Sequence, residues 1–306
     1  MTGAALTEQR DTFPCFGSEC TVIVADARES EAARAVALAR RRLLDWHRQF
    51  SRFEPDSELS RLNADPRPTV PVSAMMRRAV DAAIRAAKAT AGLVDPTLVG
   101  EIEQAGYASH LEPGGLPLHV AVGLARSRRP AGPRAAPAWR LVATDRRAGT
   151  VTRPPSVRLD LGGIAKGVFA DELAASLGAF GAFVVDCGGD LRVGGSAAVT
   201  RQVHVASPFE DRTLHTFELA AGGVATSGIG KRRWLDPQGR PAHHLLDPAT
   251  GRPAFTGVVQ ATALAPTAAQ AEALSKAAVL SGPGAAERIL AAGGVLVLEG
   301  GSSRVL

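Results

Sequence analysis

The chain has 306 residues, 45% of them hydrophobic and 21% charged, enough for one large domain or two small ones with a substantial core. Its 35 basic and 30 acidic residues give a formal charge of +5. The few aromatics do not interleave with the arginines, which argues against a nucleic-acid surface, and no apolar run reaches the roughly 18 residues of a membrane span.

Residues 1–13 read as an N-terminal tail. They lack a basic stretch followed by an apolar one, so no signal peptide is expected and the reading is a cytoplasmic protein. Cys15, Cys20 and Cys187 have neither CxxC spacing nor a disulfide framework, which fits a reducing compartment. CTVIVADA (20–27) predicts a strand. ESEAARAVALARRRLLDWHRQF has apolar residues at helical spacing to about Phe50. DSELSRLN reads as a short turn or helix capped by Asp56 or Ser57. PVSAMMRRAVDAAIRAAKATAG is a second long helix, stopped by Gly92.

Residues 108–138 are rich in Pro, Gly, Ala and Arg and read as an excursion from the core. The arginines of residues 126–147 face one acid in their own segment, Asp145, and read as a solvated loop. A hairpin is expected from WRLVATDRRAGTVTRPP, leading into an apolar strand at LDL (159–161) and a helix from IAKGVFADELAASLGAFG. AFVVDCGGDLRVGG, HVASPF and HTFELAAGGVATSG supply further strands. The remainder reads as strand, turn and helix (QATALAPTAAQAEALSKAAVLSG), then helix and strand (AERILAAGGVLVLEGG). Strands mixed with long helices, without regular βαβ alternation, predict an α+β fold: mixed β-sheets packed against long helices.

Three stretches carry chemistry. In LDLGGIAKG, Lys166 is one of only four lysines among the 35 basic residues. The stretch is neither a Walker A loop nor GxGxxG. Two glycines, the free N–H groups of a helix start and a lysine nevertheless favour an anion; the alternative is a tight turn with its lysine in solvent. In ATSGIGKRRWLDPQGRPAHHLLDPATGRPA, Ser227 lacks the GxSxG context of a nucleophile and reads as a buried or capping serine. His243 and His244 are adjacent, so their side chains diverge and do not serve one ion together. One histidine beside a glycine-rich turn is a general acid/base candidate. In AEALSKA, Glu272 and Lys276 stand at i and i+4 on a helix, the spacing of an ordinary ion pair. Asp95, Asp160, Asp186 and Asp190 lie next to turns, where carboxylates cap backbone or bind a polar ligand edge.

Taken in order, FGSECTVIV, FSRFEPDSELSRLN, LVDPTLVG, LDLGGIAKG, VVDCGGD, ATSG, HHLLDPATG and AEALSKA resemble the ApbE family of flavin transferases over about residues 14–282. The resemblance implies one ApbE-like, FAD-binding transferase domain over 14–306. It implies an enzyme that splits FAD, links FMN through its phosphate to a Thr or Ser of a separate acceptor protein, and releases AMP with the help of Mg2+. By the same resemblance FAD is held by Phe16, Phe53, Leu93, Val94, Asp95, Asp160, Lys166 and Leu246. His244 of H-x-x-DP-x-TG is the catalytic base, and Gly163, Glu272 and Ser275 are the expected metal ligands. The family pattern is broken at the metal, where Glu272 replaces an Asp and Lys276 replaces a ligating Thr. An alternative is a non-catalytic flavin-binding or FAD-pyrophosphatase relative with an altered metal site. A structural protein that binds a partner through the arginine-rich loop is the third reading.

Overall fold

Eight strands lie side by side in the order in which the chain makes them, every neighbouring pair antiparallel. They are β1 (Thr7–Cys15), β2 (Ser18–Asp26), β3 (Ala182–Cys187), β4 (Asp190–Gly194), β5 (Gly222–Gly228), β6 (Val258–Ala265), β7 (Gly294–Leu298) and β8 (Ser303–Val305). The computed structural model describes residues 6–109, 116–125 and 128–306. The fold is α+β, as expected.

Most of the helices enter in one long insertion between β2 and β3: α1 (Glu29–Gln49), α2 (Glu58–Ala64), α3 (Ala74–Ala89) and α4 (Ala165–Leu177). A further helix, α5 (Ala268–Ser281), follows β6. Three of these helices, α2, α3 and α5, start on a hydroxyl cap. Ser57, Ser73 and Thr267 each accept a hydrogen bond from the backbone N–H three residues on, at 2.9, 3.1 and 3.2 Å. At the end of α3, Gly92 adopts φ +85° and donates to the Ala87 carbonyl.

α1, α4 and α5 cover one face of the sheet, burying Leu43, Phe169 and Leu173 against Val22 and Val185. On the other face, the hairpin Arg201–Ala206/Thr213–Leu219 brings Val203 to Val184, Val193 and Val224. β3 is therefore covered on both sides, which explains its continuous apolar run AFVV.

Two expectations change. Residues 7–13, read as tail, belong to the edge strand β1, paired with β2 from Thr7↔Asp26 to Cys15↔Ser18. Only Phe13 and Cys15 of this strand are buried, so its sequence carries a weak hydrophobic signal. LDL (159–161) is not a strand. Its backbone is held by the Asn63 amide, which exchanges 2.7 and 2.8 Å bonds with Leu159, and by the Pro96 carbonyl, which accepts from Asp160 N–H.

The Pro/Arg-rich segment lies partly outside the described residues, at 110–115 and 126–127. What is described is docked. Residues 118–124 are helical, Ala131 N–H donates to Leu280, and Asp247 accepts from Gly132 N–H at 2.9 Å. Arg128 and Arg134 pair with Glu299 and Glu101, acids that their own segment does not contain. Among the described residues no helix is long and apolar enough to cross a membrane.

Candidate functional site

A cavity of about 630 Å³ opens where the β1–β2 turn, the DPT turn, the start of α4, residues 231–233, residues 244–246 and the end of α5 converge. That is within the usual range for a small-molecule site. Its walls are drawn from Phe16 to Leu280, so no single segment of the chain contains it.

One wall is aromatic. Phe16 and Gly17 form the two-residue loop of the β1–β2 hairpin, with φ of 55° and 64°. Positive φ at both positions suits the twist of the strands, but it is a strained setting for a phenylalanine. The strain has a visible consequence: the Phe16 ring turns into the cavity and stacks on Phe169 at 5.3 Å. Arg232 donates to the Phe16 carbonyl at 2.8 Å and holds the turn there. Opposite, the Arg52 guanidinium lies 4.2 Å from the Phe53 ring centroid and 4.7 Å from that of Tyr107, and 3.2 Å from the Asp160 carboxylate.

The rest of the cavity is cationic. Arg52, Lys166, Lys231, Arg232, Arg233 and Lys276 line it, against the carboxylates Asp95 and Asp160. Leu93, Val94 and Leu246 supply apolar wall. Asp95 uses Oδ1 within its own turn, accepting from Thr97 N–H and Thr97 Oγ1 at 2.8 and 2.5 Å. Its buried Oδ2 has no hydrogen-bond partner among the described residues.

The glycine turn is less bare than its sequence suggests. Gly162 N–H donates to Asp160, Ile164 and Ala165 N–H to the Leu161 carbonyl, and Gly167 N–H to Glu272. With these donors engaged, anion binding falls mainly to side chains. Lys166 is ion-paired with Asp190, whose side chain is only 1% exposed. Burial opposes the lysine's charge, yet Asp190 and Glu272 outweigh it and raise its pKa above the ordinary value.

The adjacent histidines part company, as their spacing requires. His243 is buried edge-on against Phe255 at 4.8 Å, and burial pushes its pKa down to about 3. His244 faces the cavity. Burial, then Arg232, His243 and Lys276, hold its pKa well below the usual imidazole value. Its Nδ1 is 3.4 Å from the Arg232 carbonyl; the neutral tautomer protonated there donates to that oxygen and leaves Nε2 with a free lone pair.

Glu272 and Ser275 do not line the cavity; both are fully buried. Glu272 Oε1 is 2.9 Å from Lys276 Nζ, and Oε2 accepts from Gly167 N–H at 2.8 Å. Ser275 Oγ donates to the Glu272 carbonyl and lies 2.8 Å from Ser227 Oγ. Every side-chain oxygen that the resemblance assigned to Mg2+ is therefore engaged. The Lys276 stem runs beside Gly163, where a Cβ would stand 3.7 Å from its Cε. A divalent ion about 4 Å from an ammonium is opposed by roughly 8 kcal/mol at an effective dielectric of about 20. The oxygens are of the hard type a dication takes, but with the Lys276 ammonium held among them the site does not fit one. Among the described residues no cluster of three or more His, Cys, Asp or Glu side chains is arranged to hold a metal.

Of the residues read from sequence, Phe16, Phe53, Leu93, Val94, Asp95, Asp160, Gly163, Lys166, His244 and Leu246 meet at this cavity. Arg52 and the run Lys231–Arg233 were not singled out. Three consecutive cations next to a glycine-rich turn are the only sequence signal for the run, and Arg52 has none.

An antiparallel α+β fold with a cationic, aromatic-walled cleft is the class of protein that this geometry defines. The model of the ApbE family matches residues 16–298, and the chain belongs to that family. It is 28% identical to an FAD:protein FMN transferase of Rhodobacter capsulatus over 93% of this chain and 54% of that protein, so it spans about half the length of that relative. An FAD:protein FMN transferase of Klebsiella pneumoniae is 27% identical over 90% of this chain and 79% of its own. The crystal structure of an ApbE protein from Thermotoga maritima superposes with a TM-score of 0.76 at 26% identity, covering 98% of this chain and 96% of that one. The flavinyl transferase ApbE of Pseudomonas stutzeri shares the fold at 21% identity and a TM-score of 0.75, covering 100% of this chain and 96% of its own.

Proposed function

We propose that this chain is an FAD:protein FMN transferase, acting on a Thr or Ser hydroxyl of a separate acceptor protein. The observation that carries the reading is a neutral imidazole, His244, facing a cavity lined by six cationic side chains. FAD joins two nucleotides through a pyrophosphate, and such a cavity suits both its charge and its flat ring. Lys166 and Lys276 hold the pyrophosphate, with Lys231, Arg232 and Arg233 around it. Phe16 and Phe53 offer ring faces for the isoalloxazine. Leu93, Val94 and Leu246 pack on its apolar parts, and Asp95 and Asp160 take polar edges.

The acceptor hydroxyl gives its proton to His244 Nε2 while its oxygen bonds to the FMN phosphorus. The bond from that phosphorus to the bridging oxygen breaks, and AMP leaves with that oxygen. The protein contributes position and charge neutralisation, which dominate phosphoryl transfer. A nearby pyrophosphate favours the protonated imidazole and so supports its role as base. The relatives named above carry this activity in their names. The resemblance's Mg2+ would meet the Lys276 ammonium, held on Glu272 at 2.9 Å, so no step is routed through it.

The test is AMP release from FAD by purified protein, with and without lysate of the source organism. A flavin-fluorescent acceptor band with stoichiometric AMP is expected. AMP and free FMN without any labelled protein would instead make the chain a pyrophosphatase.

A further inference from the structure

Resting on the flavin reading, we propose that the Lys276 ammonium takes the place of the metal in this chain, so that FAD binds and is cleaved without a divalent cation. Two lysines line the cleft, each paired with an acid buried behind it. Lys166 pairs with Asp190, and Lys276 pairs with Glu272. Two positive and two negative charges balance there with no ion added.

The two lysines do not share the same exposure as their acids. Lys166 and Lys276 both line the cavity, whereas Glu272 does not reach it and Asp190 is almost wholly buried. Both lysines thus reach the ligand space while the carboxylates stay behind them. A phosphate arriving in the cleft meets ammonium donors, as it would otherwise meet a cation.

The placement is fixed rather than incidental. Glu272 sits on α5 and grips Gly167 of α4 through its second oxygen. Lys276 is one helical turn further along α5, so Glu272 holds its ammonium while its stem runs beside Gly163, just before α4. A Thr at position 276 is too short to reach the Glu272 carboxylate as this lysine does. The Lys at 276 and the extra methylene of Glu272 therefore form one unit, a tethered cation with its own counter-charge.

The experiment measures FAD affinity by flavin fluorescence and AMP release in EDTA and in millimolar Mg2+. In parallel, Mn2+ is titrated into the flavin-free protein and its binding followed by electron paramagnetic resonance. The expected result is an FAD dissociation constant and an AMP rate that change less than about twofold between EDTA and Mg2+, with no tight Mn2+ binding. The double variant Glu272→Asp/Lys276→Thr is expected to lose FAD affinity at least about tenfold in EDTA and to regain it with Mg2+. Tight Mn2+ occupancy of the wild type, or a tenfold loss of its FAD affinity in EDTA, overturns the inference whether or not the double variant folds. Absence of FAD binding in both buffers overturns the flavin reading and takes this inference with it. The Mn2+ titration, which needs no flavin, separates the two failures.

Discussion

His243 and His244 are neighbours in sequence with opposite surroundings, one in the core and one at the cleft. Replacing His244 with Ala is expected to leave FAD affinity within about twofold and to lower AMP release by roughly 10²–10⁴-fold, the usual contribution of a general base. Lys166→Ala is expected to weaken FAD binding about tenfold or more. Equal losses of affinity in the two variants, read by flavin fluorescence, would remove the distinction between base and phosphate holder. Both histidines are held neutral in the fold, His243 with a pKa of about 3, whereas an unfolded histidine titrates near 6.5. The unfolded chain therefore binds more protons as the pH falls below about 6.5. For His243 this stability is full above that value and is lost progressively toward pH 3, by up to about 1.4 kcal/mol per pH unit; His244 acts in the same direction. Urea midpoints at pH 7 and pH 5 check this, and His243→Phe is expected to flatten the dependence. An unchanged slope in that variant would mean that His243 does not titrate as described.

The crossing of α4 and α5 is what turns two helices into a site. Gly167 is the contact: a Cβ there would lie 2.7 Å from the backbone of Ala268 and Ala269. Asp171, one turn on, accepts from Ala268 and Ala269 N–H at 2.9 and 3.0 Å and so caps the first turn of α5 from the neighbouring helix. Gly167→Ala is expected to cost about 1–3 kcal/mol through overpacking and to weaken FAD binding, because it pushes Lys166 away from Lys276. Chemical denaturation and a fluorescence titration of the same variant measure the two effects. A variant with lowered stability and unaltered FAD affinity would detach the helix crossing from the ligand site. At helix α2, Ser57→Ala removes a cap worth about 1 kcal/mol together with the hydroxyl's bond to the Ser51 carbonyl, and a denaturation midpoint should register that loss.

The cavity gathers residues from Phe16 to Leu280, so a ligand in it bridges the long helical insertion and the C-terminal strands. FAD at 100 times its dissociation constant is expected to stabilise the chain by about 2.7 kcal/mol. For a protein of this size that raises the melting temperature by roughly 4 °C. A thermal melt followed by circular dichroism, with and without FAD, reads it directly. No shift at saturating FAD would mean that the ligand does not bind the native fold preferentially.

Local sequence was sufficient wherever the stabilising contacts are local. The 3.6-residue apolar period fixed α1 and α3, the Asp56–Ser57 pair marked the start of α2, and ordered motifs carried the family resemblance together with most of the residues that line the cleft. Tertiary structure decided what rests on distant partners. Edge strand β1 buries only two side chains and exists because β2 pairs with it. LDL has the composition of a strand, but its backbone finds Asn63 and Pro96 instead of a neighbouring strand. Arg52 and the run Lys231–Arg233 acquire meaning only when three remote segments meet at one cavity. Sequence spacing allowed Glu272 and Lys276 to pair, but equally well on an exposed face. Burial against α4 is what places Lys276 at the cleft with Glu272 behind it, because charges removed from water must neutralise one another or a ligand.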